Sequence, residues 1–275
     1  MEKVAKKEID FSKRILEIDI LRAIAVILMV VDHFIYDLAF LMPDVFIDFP
    51  YYKNAFWGPI VDFAEDYWFW DFRQIAREVV VFVFFMLTGI CCAFSKNNLK
   101  RGLILLGFAM ALTLGTGIIA YIMNNIDFTI SFGALHCFAL ALIIIGLLEK
   151  IKTNKWVYLA LGVVGFVLGA IFIQDVKFYS YKNHNIFEII IGQILSTSMS
   201  GSDSIPFLFY GTRAFIGVFL GKLLYKERKS LFKWKYKNNF ITFIGRNSLI
   251  FYLAHQVIIP LILGLILLIC GFSFA

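Results

Sequence analysis

The sequence predicts an all-α protein, a polytopic bundle of membrane-embedded helices with its N-terminus on the cytoplasmic side. Three observations lead there. Of the 275 residues, 60% are hydrophobic and only 17% charged. Apolar runs near twenty residues long recur down the chain, and a helix rising about 1.5 Å per residue needs roughly that length to cross a hydrocarbon core of about 30 Å. Lys and Arg collect in alternate connecting segments, as they do in loops retained on the cytoplasmic side.

The apolar runs give about seven spans, at 18–41, 78–95, 102–123, 131–149, 156–173, 205–225 and 247–272. The count rises to nine if 44–77 and 186–200 also cross. Segment 44–77 interleaves aromatics, Trp57, Trp68 and Trp70 among them, with Asp44, Asp48, Asp62, Glu65, Asp66 and Asp71, a mixture that suits an interfacial segment better than a span. Segment 186–200 is apolar but short, so it reads as a re-entrant or surface helix. With the N-terminus inside, 20 of the 26 Lys and Arg residues fall on the cytoplasmic side and 6 (Lys53, Arg73, Arg77, Lys177, Lys182 and Arg213) on the other. The net charge of +6 is therefore a topology signal and does not point to nucleic acid. Met1 to Arg14 is polar and the first apolar run is long enough to stay as a span, so no cleavable signal is expected. No repeat or linker interrupts 1–275, which reads as one domain. A homo-oligomer stays open.

Cys91, Cys92, Cys137 and Cys270 all sit in apolar runs without the spacing of a disulfide framework or a zinc site, and read as packing residues. Glycines at 115 and 117, and at 162, 165 and 169, read as close helix packing.

An ionisable side chain inside a span costs several kcal/mol and is a functional candidate by default. The first span holds most of them. At 100° per residue, Arg22 and His33 differ by about 20° in direction, and Asp19 and Asp37 fall within about 40° of His33, so one stripe carries all four. His33 lies about 16 Å along the axis from Arg22, which puts Arg22 at the cytoplasmic mouth and His33 in the outer half. The plain alternative makes Asp19 and Arg22 an interfacial ion pair ending the helix, with Asp32 and Asp37 solvated near the outer surface. His136 and His255 are also embedded, and a facing set of imidazoles suits acid/base chemistry, proton relay or metal binding. For any one of them, a hydrogen-bonded contact between helices competes with catalysis. His184, in a polar outer loop, reads as exposed. Metal is not expected, because no two embedded histidines share a helix at ligand spacing. Ser131, near His136, supports no nucleophilic triad. Arg77 and Glu78 open the second span, Arg213 lies well inside the sixth, and Gly245, Arg246, Asn247 and Ser248 open the seventh.

The run Asp19, Leu21, Arg22, Ile24, Ala25 and onward to His33 resembles the opening helix of the family-three membrane acyltransferases, in which an Asp, an Arg three later and a catalytic His fourteen after the Asp recur. A closer resemblance is to bacterial proteins related to the catalytic domain of heparan-alpha-glucosaminide N-acetyltransferase. It rests on Glu17, Ile18 and Asp19, on Leu28, Met29 and Val30, on Ser202, Asp203 and Pro206, and on Gly245, Arg246, Asn247, Ser248, Leu249, Tyr252, Leu253, His255 and Gln256. Ala23 stands where that group usually has Gly. The lysosomal enzyme has Asn at the place of His33 and its catalytic His shortly after in the outer loop, whereas this chain has no His between Phe34 and Leu135.

The resemblance implies an enzyme moving an acetyl or short acyl group from cytoplasmic acetyl-CoA, or another acyl-CoA, to a hydroxyl or amine of an extracytoplasmic acceptor. A sugar or glycan is the expected acceptor, and a bacterial inner or plasma membrane the expected location. On this view His33 is catalytic with Asp37 orienting it, and Asp19, Arg22, Arg101 and Arg213 hold the donor. Arg77, His136, Asn247, Ser248, His255 and Gln256 complete the pocket. A proton-coupled small-molecule transporter is the rival, disfavoured by the lack of an internal repeat. A non-catalytic assembly or sensor protein is weaker still.

Overall fold

Along the first apolar run Leu21, Ile24, Leu28, Val31 and Phe34 recur at helical spacing and are all exposed, while Ala23, Ala25 and Val26 are buried. That is the pattern of a helix with one face to hydrocarbon and one to protein. In the computed structural model this run is α1 (Leu16–Tyr36), continued through a five-residue π-turn (Asp37–Leu41) into α2 (Met42–Val45). The structure describes residues 14–46, 49, 56–125, 128–178, 185–199, 203–232 and 236–273. Asp48, Lys53, Lys182, His184, Ser202 and the lysines before Arg14 lie outside the described residues.

Helix α3 (Trp57–Phe69) has 13 residues, about 20 Å, too short to cross. α4 (Asp71–Cys92) starts seven residues before the expected 78 and ends three before 95. Charged residues at 71–78 weigh against a span when counted singly, yet Arg73 is paired with Asp32 and Arg77 with Glu78. There follow α5 (Asn98–Ile122), α6 (Ala134–Lys150), α7 (Lys155–Phe172), α8 (Ile186–Ile194), α9 (Phe207–Tyr210), α10 (Arg213–Leu224), α11 (Phe240–Arg246) and α12 (Ser248–Ile269). Two-residue strands β1 (Lys177–Phe178) and β2 (Ser198–Met199) pair in parallel. Segment 186–200 is thus a nine-residue helix and a short strand rather than a span.

Among the described residues, six helical stretches are long and apolar enough to cross a membrane: Leu16–Val45, Asp71–Cys92, Asn98–Ile122, Lys155–Asp175, Phe207–Leu224 and Ser248–Ile269. α6, with 17 residues, sits at the lower limit of span length.

The chain divides into two compact units, Met1–Phe84 with Phe232–Ala275, and Phe85–Leu231. In the first unit α1 and α12 run in parallel, with Arg22 bonded to Ser248, His33 against His255, and Phe49 against Phe272. Two apolar clusters lie along these helices, one on each side of the His33–His255 contact in sequence. One gathers Ala23, Val26 and Ile244, and the other Leu38, Met42, Phe46, Trp57, Leu263 and Leu267.

The second unit is built on close approaches. α5 and α6 form an antiparallel hairpin, where a methyl group at Gly102 would press on Ile143 and one at Gly146 on Leu99. Gly162, Gly165 and Gly169 do the same for α7 against Ile216, Thr212 and Phe209, so their reading as packing glycines holds. Gly115 and Gly117 correct it: a Cβ there meets open space, because the flanking Leu114, Ile118 and Ile119 face outward. None of the four cysteines forms a disulfide, and Cys92 and Cys137 are buried as expected of packing residues.

Candidate functional site

The polar zone of the first unit follows α1 from its N-terminal end onward. Asp19 is 3% exposed. Its carboxylate accepts a hydrogen bond from the Tyr236 hydroxyl at 2.8 Å and pairs with Arg14 at 3.6 Å. Arg246 donates to the same Tyr236 oxygen at 3.2 Å. Burial is the main cause that raises the Tyr236 pKa, so the hydroxyl remains a donor. At this level α11 crosses α1 so tightly that a Cβ on Gly245 would overlap the Asp19 carbonyl. Asp19 therefore holds the segment before α12 and pairs with Arg14, not with Arg22. Arg22 donates to the buried Ser248 hydroxyl at 2.6 Å. Asn247 is spent locally, its side chain donating to the Phe243 carbonyl at 2.9 Å.

Farther along α1, the rings of His33 and His255 lie 4.8 Å apart between centroids with planes at 80°. Each Nδ1 is within reach of the carbonyl four residues earlier on its own helix, Met29 at 2.9 Å for His33 and Phe251 at 3.3 Å for His255. A carbonyl only accepts, so each Nδ1 carries a proton, and a ring that is neutral keeps its lone pair on Nε2. His255 Nε2 is buried without a hydrogen-bond partner among the described residues, as is Gln256 Oε1. Pro260 has no N–H to offer the Gln256 backbone carbonyl, which adds a further acceptor at this level of α12.

Asp37 opens the π-turn and is 7% exposed, so it is not the solvated surface group of the plain alternative. Its carboxylate makes no side-chain hydrogen bond or ion pair among the described residues. The Met29 carbonyl, rather than Asp37, orients the His33 ring. Asp32 departs further from the expectation of a solvated group. It receives Arg73 through two hydrogen bonds, Nε to Oδ1 at 2.7 Å and Nη2 to Oδ2 at 2.6 Å, with the Tyr67 hydroxyl at 3.5 Å. Sequence reasoning passed over this pair. The available signal was that Asp32 lies inside an apolar run, where a lone carboxylate is costly. Arg77 pairs with its neighbour Glu78 at 2.9 Å, both partly exposed.

The aromatic segment is mostly packing. Trp57 is buried against Phe49, and Trp68 lies against Tyr36 and Phe40 with Arg73 over its ring. Trp70 is 56% exposed.

Arg101, His136 and Arg213 belong to the second unit. Arg101 donates to Asn98 at 3.2 Å. His136 is closed by its neighbours: the Gly133 N–H donates to Nδ1 at 3.3 Å, leaving Nε2 to donate to Thr113 Oγ1 at 3.1 Å, which in turn donates to the Ile130 carbonyl at 2.7 Å. It fits the contact between helices that competed with catalysis. Arg213 opens α10, 3% exposed, with Phe209, Tyr210 and Phe166 around its guanidinium at 4.5, 4.7 and 5.3 Å. No group of three or more His, Cys, Asp or Glu side chains is placed to hold a metal ion among the described residues.

A bundle of helices long and apolar enough to cross a membrane, with two imidazoles in contact in its first unit, defines a multi-pass membrane protein. The family model described as heparan-alpha-glucosaminide N-acetyltransferase, catalytic, matches residues 14–257. The chain belongs to that family of membrane acetyltransferases, and the match runs from Arg14, before α1, past His255 in α12. No curated protein and no solved structure matches it.

Proposed function

We propose that this protein transfers an acetyl group from acetyl-CoA, taken from the cytoplasm, to a hydroxyl or amine of an extracytoplasmic glycan, working in a bacterial cell membrane. The observation that supports this best is the His33–His255 pair, two imidazoles whose Nδ1 atoms are tied to their own helices and whose Nε2 atoms are left for chemistry. The positive-inside bias of the connecting segments puts Arg22 on the donor's side. The pantetheine arm is comparable in length to the rise of about 16 Å from Arg22 to His33. The thioester then reaches His33 as the nucleotide stays at the inner mouth.

His33 Nε2 takes the proton from the acceptor as its oxygen or nitrogen attacks the thioester carbonyl carbon. The carbon–sulfur bond breaks, and the imidazolium gives its proton to the departing thiolate. His255 Nε2 and Gln256 Oε1 are hydrogen-bond acceptors, suited to the remaining donors of a polyhydroxyl or amino substrate. Arg22, held by Ser248, faces the anionic part of the donor.

The test is thiol release from acetyl-CoA by the purified protein in lipid nanodiscs, with glucosamine as the probe acceptor and mass detection of the product. Wild type is expected to acetylate the probe and a folded His33→Ala variant to lose about 10²-fold or more. Equal rates in the two proteins would defeat the assignment. Detection of an acetylated imidazole on His33 would replace direct transfer by a two-step route.

A further inference from the structure

Asp32, Tyr36 and Phe40 form one row on the helix that carries His33, spaced four apart. Arg73 and Trp68 lie along the row. Arg73, at the start of α4, grips the Asp32 carboxylate with two nearly equal hydrogen bonds, and its guanidinium lies 3.6 Å from the centre of the Trp68 ring. Trp68, at the end of α3, is in turn 4.9 Å from Tyr36 and 5.5 Å from Phe40. The ion pair is withdrawn from solvent, with side-chain exposures of 6% for Arg73 and 15% for Asp32. Burial and the nearby Asp32 charge raise the Tyr67 pKa, which keeps its hydroxyl a donor toward the same carboxylate.

Two features give this cluster a role beyond packing. A buried ion pair is weak in net stabilisation, because desolvation offsets most of the attraction, whereas its fork geometry admits one arrangement of the two helices. The row also runs from α1 into the π-turn at Asp37–Leu41, with Phe40 inside the turn. A π-turn changes the angular register of everything beyond it and persists where tertiary contacts hold it. His33 is the residue next to Asp32, so a rotation of the outer part of α1 by one residue, about 100°, would carry its ring away from His255.

We propose that Asp32, Arg73 and Trp68 form a positioning clamp that sets the rotation of α1 and so brings His33 against His255. The clamp touches neither donor nor acceptor in this account, and its catalytic consequence rests on the function proposed above.

The geometric part is testable without activity. In a background with the four native cysteines replaced by alanine or serine, the full-length His33→Cys/His255→Cys protein is reconstituted in nanodiscs and treated with a short bifunctional thiol reagent. Cross-linking is expected to be fast. Adding Arg73→Gln or Asp32→Asn should slow it at least about fivefold, Arg73→Lys should slow it less, and the exchange Asp32→Arg/Arg73→Asp should restore part of the rate. In the otherwise native protein the same single changes should lower kcat for acetyl-CoA turnover by roughly 100-fold, as misplacement by about 1 Å can, with donor KM unchanged.

Unchanged cross-linking in a folded Arg73→Gln protein overturns the clamp, whatever happens to turnover. Slowed cross-linking alongside wild-type turnover keeps the geometric role and overturns the catalytic one. Slowed and rescued cross-linking in a protein whose wild type shows no transferase activity keeps the clamp and defeats the functional reading instead.

Discussion

The imidazoles of His33 and His255 meet edge to face at 4.8 Å, one from the first span and one from the last. Each ring is tethered through Nδ1 to the carbonyl four residues before it. The pair therefore presents two Nε2 atoms whose direction is set by helix backbone.

His255 supplies an acceptor and no covalent step in the proposed reaction, so its removal should be milder than that of His33. His255→Ala is expected to lose about tenfold in kcat, against about 10²-fold or more for His33→Ala. His255→Gln, which can keep an acceptor near the same place, should recover part of the loss. Steady-state thiol release measures all three.

Near the start of α1, Arg22 is held by Ser248. Losing a charged hydrogen bond to the donor costs about 1.5 kcal/mol, or about tenfold in affinity. Arg22→Ala should raise the acetyl-CoA KM by that factor with kcat little changed, the mark of lost ground-state binding. A fall in kcat at constant KM would contradict this role.

Asp19 is engaged with Tyr236 and Arg14. Asp19→Ala is expected to remove about 2 kcal/mol of stability, since a buried charged hydrogen bond is lost. It should lower the melting temperature in detergent and leave the donor KM within about twofold. Tyr236→Phe should show part of the same loss.

Gly245 gives the sharpest steric prediction. A methyl group there overlaps the Asp19 backbone, and backbone cannot move aside as a flexible side chain would. Gly245→Ala should cost about 3 kcal/mol, the upper end for overpacked sites, seen as reduced folded yield by size-exclusion chromatography. Gly115→Ala, with open space around it, should be neutral or slightly stabilising, since Ala favours a helix by about 1 kcal/mol over Gly.

His136 is a structural residue in this account. Its replacement by Ala strands the Gly133 N–H and the bond to Thr113, at about 1–3 kcal/mol for a buried unsatisfied group. The folded fraction should keep wild-type turnover per molecule, which a thermal shift measured beside a thiol-release assay would establish.

What the sequence determined by itself is what one helix determines. Run length and composition decide whether a segment can cross hydrocarbon, and 3.6-residue periodicity puts Arg22 and His33 along one side of α1 while Leu21, Leu28 and Val31 turn outward. Those properties follow from local geometry, and they were legible. The tertiary structure alone decided which faces meet. It gave Arg73 to Asp32 and so moved the start of α4 to Asp71, because a charge that is prohibitive alone is tolerated once paired. It oriented His33 through Met29, and the π-turn within the first span left no mark in the sequence. It separated Gly165, pressed on Thr212, from Gly115, which packs on nothing, though the two glycines look alike in an apolar run. A sequence records what each residue costs in a given solvent. Which neighbour removes that cost is a long-range fact, and only the packing of α1 against α4, α11 and α12 supplies it.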